Sequence, residues 1–197
     1  TDAIAERICE ILPFNEWQEE HLVITGGEPL LGWQRAYPDL LNHPKMDKLK
    51  EITFETNGTQ EISEKFAEQV QAWHMEFRPN HIAQFRELQF SVSPKLTCSG
   101  EAWADAIKPD TVTAYESVGN AYLKFVVANM DDVKEVDKAV TEYRNAGFTG
   151  PTYLMPVGGV ESVYHLNNRA VADIAMRHGL RYSDRLQVPL FKNEWGT

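Results

Sequence analysis

Two short apolar runs in this chain each end abruptly in glycine and a carboxylate, a combination that can bind a small charged molecule. One run leads into residues 25–29 (TGGEP), and the other leads into residues 55–58 (ETNG). Glycine lets the main chain approach a ligand closely and adopt positive φ. Backbone carbonyls and Glu28 can accept hydrogen bonds from an ammonium, while nearby amides donate to a carboxylate. We therefore expect the first junction to suit a group that bears both charges, such as an amino acid.

Each of these motifs also has a purely structural interpretation. The glycines of residues 25–29 suit a tight turn from a strand into a helix, and Asn57-Gly58 is a common turn sequence. A third junction, Ser93-Pro94-Lys95, places a hydroxyl and an ammonium after another apolar run, although a single lysine there is commonly only solvated. Three such junctions in successive units favour function over coincidence.

The elements that carry these junctions follow from the spacing of apolar residues, which predicts alternating helices and strands. Helices between strands imply parallel pairing with right-handed crossovers, and ligands bind at the carboxyl ends of such strands. We expect one domain over residues 1–197, and periodicity leaves a barrel, a partial barrel and an open doubly wound sheet as alternatives. The predicted strands are 21–25, 51–55, 88–92, 121–127, 153–155 and 186–190. The predicted helices are 1–12, 60–75, 131–146 and 163–178. Broken helices are predicted in 30–41 (at Gly32 and Pro38) and in 100–118 (at Pro109), and residues 77–87 are predicted to be a linking insertion.

Composition narrows the class of protein. A hydrophobic content of 43% and a charged content of 24% are ordinary for a globular domain, and the net charge of −10 argues against a nucleic-acid partner. The sequence contains no apolar run of the roughly 20 residues that a membrane span needs. Two cysteines in a chain of this size suggest a reducing cytoplasm.

The ordered set of motifs resembles a known enzyme family. GGEP, ETNG and SPK, each at its own strand end, resemble the cofactor-binding half of a radical S-adenosylmethionine enzyme. The succession VITGGEPLL, FETNGT, SVSPK, YLKFVV and YLMPV resembles the 7-carboxy-7-deazaguanine synthase family, and RLQVPLFKNEWGT resembles the carboxyl terminus of one of its branches. The match runs from about His21 to Thr197, and the ordered set is far more specific than any single motif.

The resemblance implies a partial (β/α) barrel with mainly parallel strands, an α/β fold. It also implies radical-mediated contraction of 6-carboxy-5,6,7,8-tetrahydropterin to 7-carboxy-7-deazaguanine with loss of ammonia. The implied partners are this small pterin substrate, an external electron donor and a second copy of the chain in a homodimer, with no nucleic acid and no membrane. The implied cofactors are S-adenosylmethionine, a [4Fe–4S] cluster and Mg²⁺.

Particular residues acquire expected roles from the same resemblance, although none is assigned a catalytic role. Gly26, Gly27 and Glu28 match the residues that hold the amino end of S-adenosylmethionine. The ribose and carboxylate are expected at Ser93 and Lys95 with Thr56 and Asn57 nearby, and the adenine along Met155, Pro156 and Val157. Thr25, Glu55, Gln187 and the terminal carboxylate of Thr197 are expected at the substrate. Gln187 is predicted to point into the pocket because it alternates with Leu186 and Val188 on a strand. Lys124 lies on the strand that matches the charged fifth strand of the family.

The cysteines depart from the family pattern, which places a loop of three cysteines ahead of the GGEP strand. Cys9 falls in a predicted helix and Cys98 lies far downstream, so they do not form that loop. We expect the cluster ligands and the magnesium ligand upstream of residue 1, with no metal ligand in residues 1–197. A second departure is the run VPLF at residues 188–191, which stands where many relatives carry Thr-His-Lys.

Two other functions remain open from the sequence. The first is another radical S-adenosylmethionine enzyme, such as an activase, which would share GGEP but not the ending of this chain. The second is a cluster-free module that binds S-adenosylmethionine or a nucleotide, and the shortage of cysteines supports it. The sequence immediately upstream of residue 1 distinguishes the module from the enzyme.

Overall fold

The computed structural model describes residues 1–75, 86–158 and 161–192, with the backbone alone at 161–166. Its strands form one open, parallel, six-stranded sheet in chain order, so the α/β partial-barrel fold expected from the sequence is confirmed. In β1 and β2, Val23 is paired with Thr53, so the carboxyl ends of these two strands lie side by side. The strands are β1 (Leu22–Ile24), β2 (Glu51–Thr56), β3 (Glu87–Val92), β4 (Asn120–Val127), β5 (Thr152–Pro156) and β6 (Arg181–Tyr182).

Helices occupy most of the connections between the strands. None of those in the described ranges is both long and apolar enough to cross a membrane. Two short 3-10 helices, Pro44–Met46 and Thr97–Ser99, complete the regular structure of the described residues. The α-helices are α1 (Asp2–Ile11), α2 (Tyr37–Leu41), α3 (Glu64–Met75), α4 (Trp103–Ala106), α5 (Pro109–Glu116), α6 (Met130–Asn145), α7 (Glu161–Arg177) and α8 (Gln187–Phe191).

The sequence prediction was wrong about the last strand. Residues 187–191 form helix α8, and the sixth strand is Arg181–Tyr182. Pro189 explains the difference, because proline is tolerated in the first turn of a helix but cannot donate a hydrogen bond within a sheet. Two smaller corrections concern helices: α3 begins at Glu64 rather than at residue 60, and Pro38 lies in the first turn of α2 instead of interrupting it. Of the predicted insertion at 77–87, only the last two residues are described.

The described chain divides into two compact units, of which the first comprises residues 1–56, 60–91 and 114–121. Its core is a run of aromatic rings that the alternation of β2 and β3 turns to one side of the sheet. Phe54 stacks on Phe90 with ring centroids 5.6 Å apart, and Phe90 stacks on Tyr115 at 4.9 Å. All three side chains are fully buried, and each contributes roughly 1.5–3 kcal/mol of hydrophobic stabilisation.

The second unit comprises residues 57–59, 92–113 and 122–197. Within it, β4 alternates between buried and half-buried side chains, so one face of the strand belongs to the core. Helix α6 turns a stripe of apolar residues inward at helical spacing, ending with the fully buried Tyr143. Asn129 caps the start of this helix by accepting hydrogen bonds from the amides of Asp131 (2.8 Å) and Asp132 (3.1 Å).

Candidate functional site

The loop that follows β1 presents bare main chain to its surroundings. Gly26 and Gly27 have φ values of 91° and 54°, a conformation that other residues rarely adopt. A Cβ atom at either position would meet no heavy atom within 4 Å. Steric crowding therefore does not explain the two glycines, whereas their backbone conformation and the open space beside them suit a ligand that contacts the main chain.

Glu28, the next residue of this loop, has its carboxylate held by two donors. Its Oε1 accepts a hydrogen bond from the hydroxyl of Thr56 at 2.7 Å and another from the amide of Leu30 at 3.0 Å. The Thr56 side chain comes from the end of β2 and is only 3% exposed. The structure thus brings together two residues that the sequence placed at separate junctions, and it connects them directly.

Thr25 and Glu55 form a second connection between the same two strand ends. The Thr25 hydroxyl donates to Oε2 of Glu55 at 3.2 Å. Because neighbouring residues of a strand point to opposite faces, Glu55 and Thr56 cannot line the same side of the sheet. One face therefore carries the pair of Thr25 and Glu55, and the other carries the pair of Glu28 and Thr56.

Two residues that the sequence analysis did not identify, Tyr37 and Gln34, donate hydrogen bonds to carbonyl groups of the same loop. The hydroxyl of Tyr37 donates to the carbonyl of Pro29 at 2.6 Å. Burial, with the negative charge of Glu28 as a second cause, raises the pKa of Tyr37 above its ordinary value. No pattern in the sequence distinguishes this tyrosine from an ordinary helix residue, so only the structure identifies it.

Gln34 is the second of these residues, and it connects the loop after β1 to the segment before α3. Its amide nitrogen donates to the carbonyls of Leu30 (3.0 Å) and Glu61 (2.8 Å), and its amide oxygen accepts from the amide of Ser63 (2.8 Å). A cavity of about 590 Å³ lies beside this connection, lined by Gly32, Gln34, Arg35, Glu61, Ile62 and Ser63.

A polar face crosses the strands of the first unit. The Thr53 hydroxyl lies 2.8 Å from Nε2 of His21 and donates to Oε1 of Gln89 at 3.4 Å. Ser91 is fully buried on the same side of β3 as Gln89, and its hydroxyl has no hydrogen-bond partner among the described residues. The alternation of polar residues at 51, 53 and 55 is the sequence signal that indicates this polar face. The strand-end motifs alone do not indicate it.

Asn57 and Gly58 open the second unit and form a turn with Thr59. Oδ1 of Asn57 accepts from both the amide (2.9 Å) and the hydroxyl (2.7 Å) of Thr59. Gly58 has a φ of 79°, and a Cβ atom there would lie 2.6 Å from Val92 and 3.1 Å from Val112. Glycine at this position is therefore required by close packing within the second unit as well as by its backbone conformation.

The other predicted cofactor residues of the second unit lie at strand ends, as expected. Ser93 and Lys95 directly follow β3, are half-buried and flank the buried Pro94. Met155 and Pro156 end β5 and are buried, while Val157 is 36% exposed. The sulfur of Met155 lies 3.2 Å from Nε of Arg185.

Lys124 lies on the half-buried face of β4, where it is paired in register with Tyr153 of β5. The same face carries Tyr122, whose ring centroid is 5.1 Å from that of Tyr153. Tyr153 also accepts a hydrogen bond from Arg181 of β6 at 3.0 Å. The charged position predicted on this strand thus belongs to a polar and aromatic surface of the second unit.

The other two predicted substrate residues, Gln187 and Thr197, are not placed at a strand end by the structure. Gln187 is exposed in the first turn of α8, so the inference that strand alternation turns it into a pocket is wrong. Its place in the site stays a prediction that rests on the family resemblance alone. Thr197 lies outside the described residues.

The two cysteines differ in exposure and belong to different units. Cys9 is buried in α1 of the first unit, and Cys98 is exposed in the second. Partial burial and the nearby carboxylates of Asp132 and Glu135 raise the pKa of the Cys98 thiol, which disfavours the thiolate that a metal requires. Within residues 1–75, 86–158 and 161–192, no group of three His, Cys, Asp or Glu side chains is arranged to hold a metal ion.

Comparison with known proteins gives three curated relatives, all named 7-carboxy-7-deazaguanine synthase. The protein from Halobacterium salinarum is 31% identical over 217 residues, which cover 98% of this chain and 72% of the relative. The protein from Pyrobaculum aerophilum is 29% identical over 176 residues, which cover 89% of this chain and 67% of the relative. The protein from Rhodopirellula baltica is 25% identical over 190 residues, which cover 90% of this chain and 64% of the relative. No family model matches the chain, and no solved structure is significantly similar to it.

Proposed function

The chain belongs to the 7-carboxy-7-deazaguanine synthase family, and from that premise we propose that its strand-end loops bind S-adenosylmethionine and a pterin. The proposed reaction is the ring contraction of 6-carboxy-5,6,7,8-tetrahydropterin to 7-carboxy-7-deazaguanine with loss of ammonia. The observation that carries the proposal is the similarity over 98% of this chain to the Halobacterium salinarum synthase. This family belongs to the radical S-adenosylmethionine enzymes, and its members are carbon–nitrogen lyases.

The amino-acid part of S-adenosylmethionine fits the loop after β1. We assign the ammonium to the carbonyls of Gly26 and Gly27 and to the carboxylate of Glu28, which are acceptors beside open space. A hydrogen bond between an ammonium and a carboxylate is charge-assisted and therefore among the stronger contacts available to a protein. The Tyr37 and Gln34 hydrogen bonds support this assignment because they fix the loop before any ligand arrives.

The other cofactor contacts are proposed from the family resemblance. Ser93 and Lys95 are assigned to the ribose and the carboxylate, with Asn57 supporting them through its turn. The adenine is assigned to the end of β5, where Met155, Pro156 and Val157 offer an apolar surface that a flat ring can pack against.

The substrate is assigned to the polar side of the first unit. Glu55 can accept hydrogen bonds from the N–H groups of a pterin ring, and Thr25, the residue after β1, orients this carboxylate. Gln187 and the terminal carboxylate of Thr197 complete the proposed substrate contacts. The structure describes the first of these as exposed on α8 and does not describe the second.

The residues of this chain do not fit an iron–sulfur cluster. Such a cluster is held by cysteine thiolates, and the sequence contains two cysteines, which lie in separate units. We propose that the cluster ligands and the magnesium ligand lie outside residues 1–197, since 28–36% of each relative lies outside its aligned region. A cluster held by residues outside 1–197 would supply, together with S-adenosylmethionine, the radical that begins the ring contraction.

Three further properties are part of the proposal. We propose an external protein or chemical electron donor, because the family chemistry requires electrons from outside the chain. We also propose a homodimer and a cytoplasmic location, the latter supported by the two unpaired cysteines of the described residues.

The test is an assay of the protein expressed from its whole natural reading frame and reconstituted with iron and sulfide. Incubated without oxygen with dithionite, S-adenosylmethionine and 6-carboxy-5,6,7,8-tetrahydropterin, it should form 7-carboxy-7-deazaguanine, detected by mass spectrometry. Cleavage of S-adenosylmethionine without a deazapurine would contradict the assigned substrate. Tight binding of S-adenosylmethionine with no cleavage under any reducing condition would instead indicate a cluster-free binding module.

A further inference from the structure

We propose that Thr56 is a positioning residue, which orients the Glu28 carboxylate toward the ligand ammonium and does not itself contact the ligand. This inference rests on the proposed function, because the ammonium belongs to S-adenosylmethionine in that function. It replaces the expectation from family resemblance that Thr56 lies beside the ribose or the carboxylate of the cofactor.

The Thr56 side chain is buried, whereas the loop that offers the ligand contacts is open. The Thr56 side chain is 3% exposed, whereas Gly26 and Gly27 of the neighbouring loop are exposed and Glu28 is half-buried. A ligand that rests on the glycines therefore meets the Glu28 carboxylate, while the Thr56 hydroxyl lies beneath it.

Geometry is the second argument. The hydroxyl of Thr56 is 2.7 Å from Oε1 of Glu28, and the amide of Leu30 is 3.0 Å from the same oxygen. Two donors converging on one carboxylate oxygen fix the rotation of the carboxylate plane and so fix the direction of its second oxygen. Hydrogen bonds to a charged group are stronger than those between neutral groups, so losing the threonine donor has a measurable cost.

The sheet supplies the third argument. Thr56 ends β2 on the face that carries Phe54, and Ile24 of β1 is paired with Phe54. The threonine is thus fixed at the end of a strand whose other residues on the same face, Ile52 and Phe54, are fully buried. A donor on such a rigid element positions its partner more accurately than a donor on a loop.

The experiment compares Thr56→Val with Thr56→Ser in the full-length protein reconstituted with iron and sulfide. Valine keeps the shape of threonine and removes only the hydroxyl, and serine restores the donor. Binding is measured by calorimetry with two ligands: S-adenosylmethionine, and 5′-methylthioadenosine, which keeps the adenosine but lacks the amino acid. We expect T56V to weaken S-adenosylmethionine binding about tenfold, to leave 5′-methylthioadenosine binding unchanged, and to be largely rescued in T56S.

Two further variants complete the design. In a Glu28→Ala background, T56V should have little additional effect, because the side chain through which Thr56 acts has been removed. Thr152→Val is the matched control: it removes a buried hydroxyl at the amino end of β5, whereas the proposed ligand contacts lie at the carboxyl ends of strands, and it should bind both ligands as the wild type does.

The possible outcomes separate this inference from the proposed function. Equal weakening of both ligands by T56V would show that its effect is not confined to the amino-acid part of the ligand and would overturn the positioning role. Unchanged binding of S-adenosylmethionine by T56V would overturn it as well, while leaving the proposed function intact. A wild-type protein that binds no S-adenosylmethionine at all would refute the proposed function, and the inference would fall with it.

Discussion

The residues of the loop after β1 hold one another in place before any ligand is considered. Thr56 donates to Glu28, Tyr37 donates to the carbonyl of Pro29, and Gln34 donates to the carbonyl of Leu30. Three successive loop residues are thus each fixed by a side chain from another part of the first unit. A binding loop that is fixed in this way loses less conformational entropy when its ligand arrives.

The first prediction concerns Tyr37 and the free energy of unfolding. Tyr37→Phe removes the donor to the buried Pro29 carbonyl and should lower stability by about 1–2 kcal/mol. Urea denaturation of the wild type and the variant measures the difference. Tyr182→Phe is the control, because its hydroxyl makes a long, exposed contact of 3.5 Å with Asp184, whose loss should cost less than about 0.5 kcal/mol. Equal costs for the two variants would contradict the role given to Tyr37.

The second prediction separates crowding from backbone strain at two glycines with nearly equal φ, 79° at Gly58 and 78° at Gly32. A Cβ at Gly58 would lie 2.6 Å from Val92, whereas a Cβ at Gly32 would meet nothing within 4 Å. Gly32→Ala should therefore cost about 1 kcal/mol of stability from strain alone. Gly58→Ala should cost about 2–4 kcal/mol, because overpacking is added to the strain. Thermal denaturation of both variants checks the order, which an equal shift in Tm would contradict.

Among the elements, β2 has the most specific role, because its two faces serve different partners. Residues 51, 53 and 55 turn toward the polar side and residues 52, 54 and 56 toward the aromatic core and Glu28. The sequence predicted this strand and the glutamates at its end and at the end of β1. It did not predict that each carboxylate is paired with a threonine of the other strand, because pairing depends on the register between strands, which is a property of the folded sheet.

The third prediction concerns the start of helix α6. Asn129 accepts from the amides of Asp131 and Asp132, and Asp132 accepts from the amide of Ala128 at 2.7 Å, an arrangement that resembles a capping box. Asn129→Ala should lower the free energy of unfolding by about 1 kcal/mol, and Asn129→Asp should preserve most of it. Urea denaturation provides the measurement. A loss in the aspartate variant as large as in the alanine variant would refute the capping role.

Helix α8 shows why short elements at the end of a chain resist prediction. Residues 186–190 alternate between apolar and other residues over too short a span to distinguish a strand from one turn of helix. The true sixth strand, Arg181–Tyr182, is two residues long and carries no periodicity at all. Long elements with a clear period, such as β4 and α6, were predicted to within a residue or two of their observed ends.

For the molecule as a whole, the sequence was sufficient for the fold class and the family, but not for the contacts of the site. The alternation of helices with strands and the position of the motifs at strand ends follow from the spacing of apolar residues and glycines. Gln34 and Thr53 were missed because their partners Glu61 and His21 are distant in the chain, and Tyr37 because its contact with Pro29 depends on how the loop between them folds. Side-chain hydrogen bonds between distant segments depend on tertiary packing, which local patterns do not encode.

The fourth prediction concerns the stability of the whole protein at high pH. Burial raises the pKa of Tyr143, which is fully buried, above the value of about 10 for an unfolded tyrosine. Above pH 10 the unfolded chain loses this proton while the native protein keeps it, so stability falls as pH rises; below pH 10 the residue has no such effect. Tyr143→Phe should reduce that fall by up to about 1.4 kcal/mol per pH unit. Urea denaturation at pH 8, 10 and 11 tests this, and parallel curves for wild type and variant would contradict it.

The two-sided arrangement of β2 has a consequence for how homologous sequences can diverge. A single-residue insertion or deletion between Ile52 and Thr56 would turn a carboxylate toward Glu28 and a hydroxyl toward Thr25, so that two negative groups would oppose each other. Changes of length should therefore be excluded from this strand in active relatives. They should accumulate instead in the connections between elements, where an added residue leaves the pairing of the strands undisturbed.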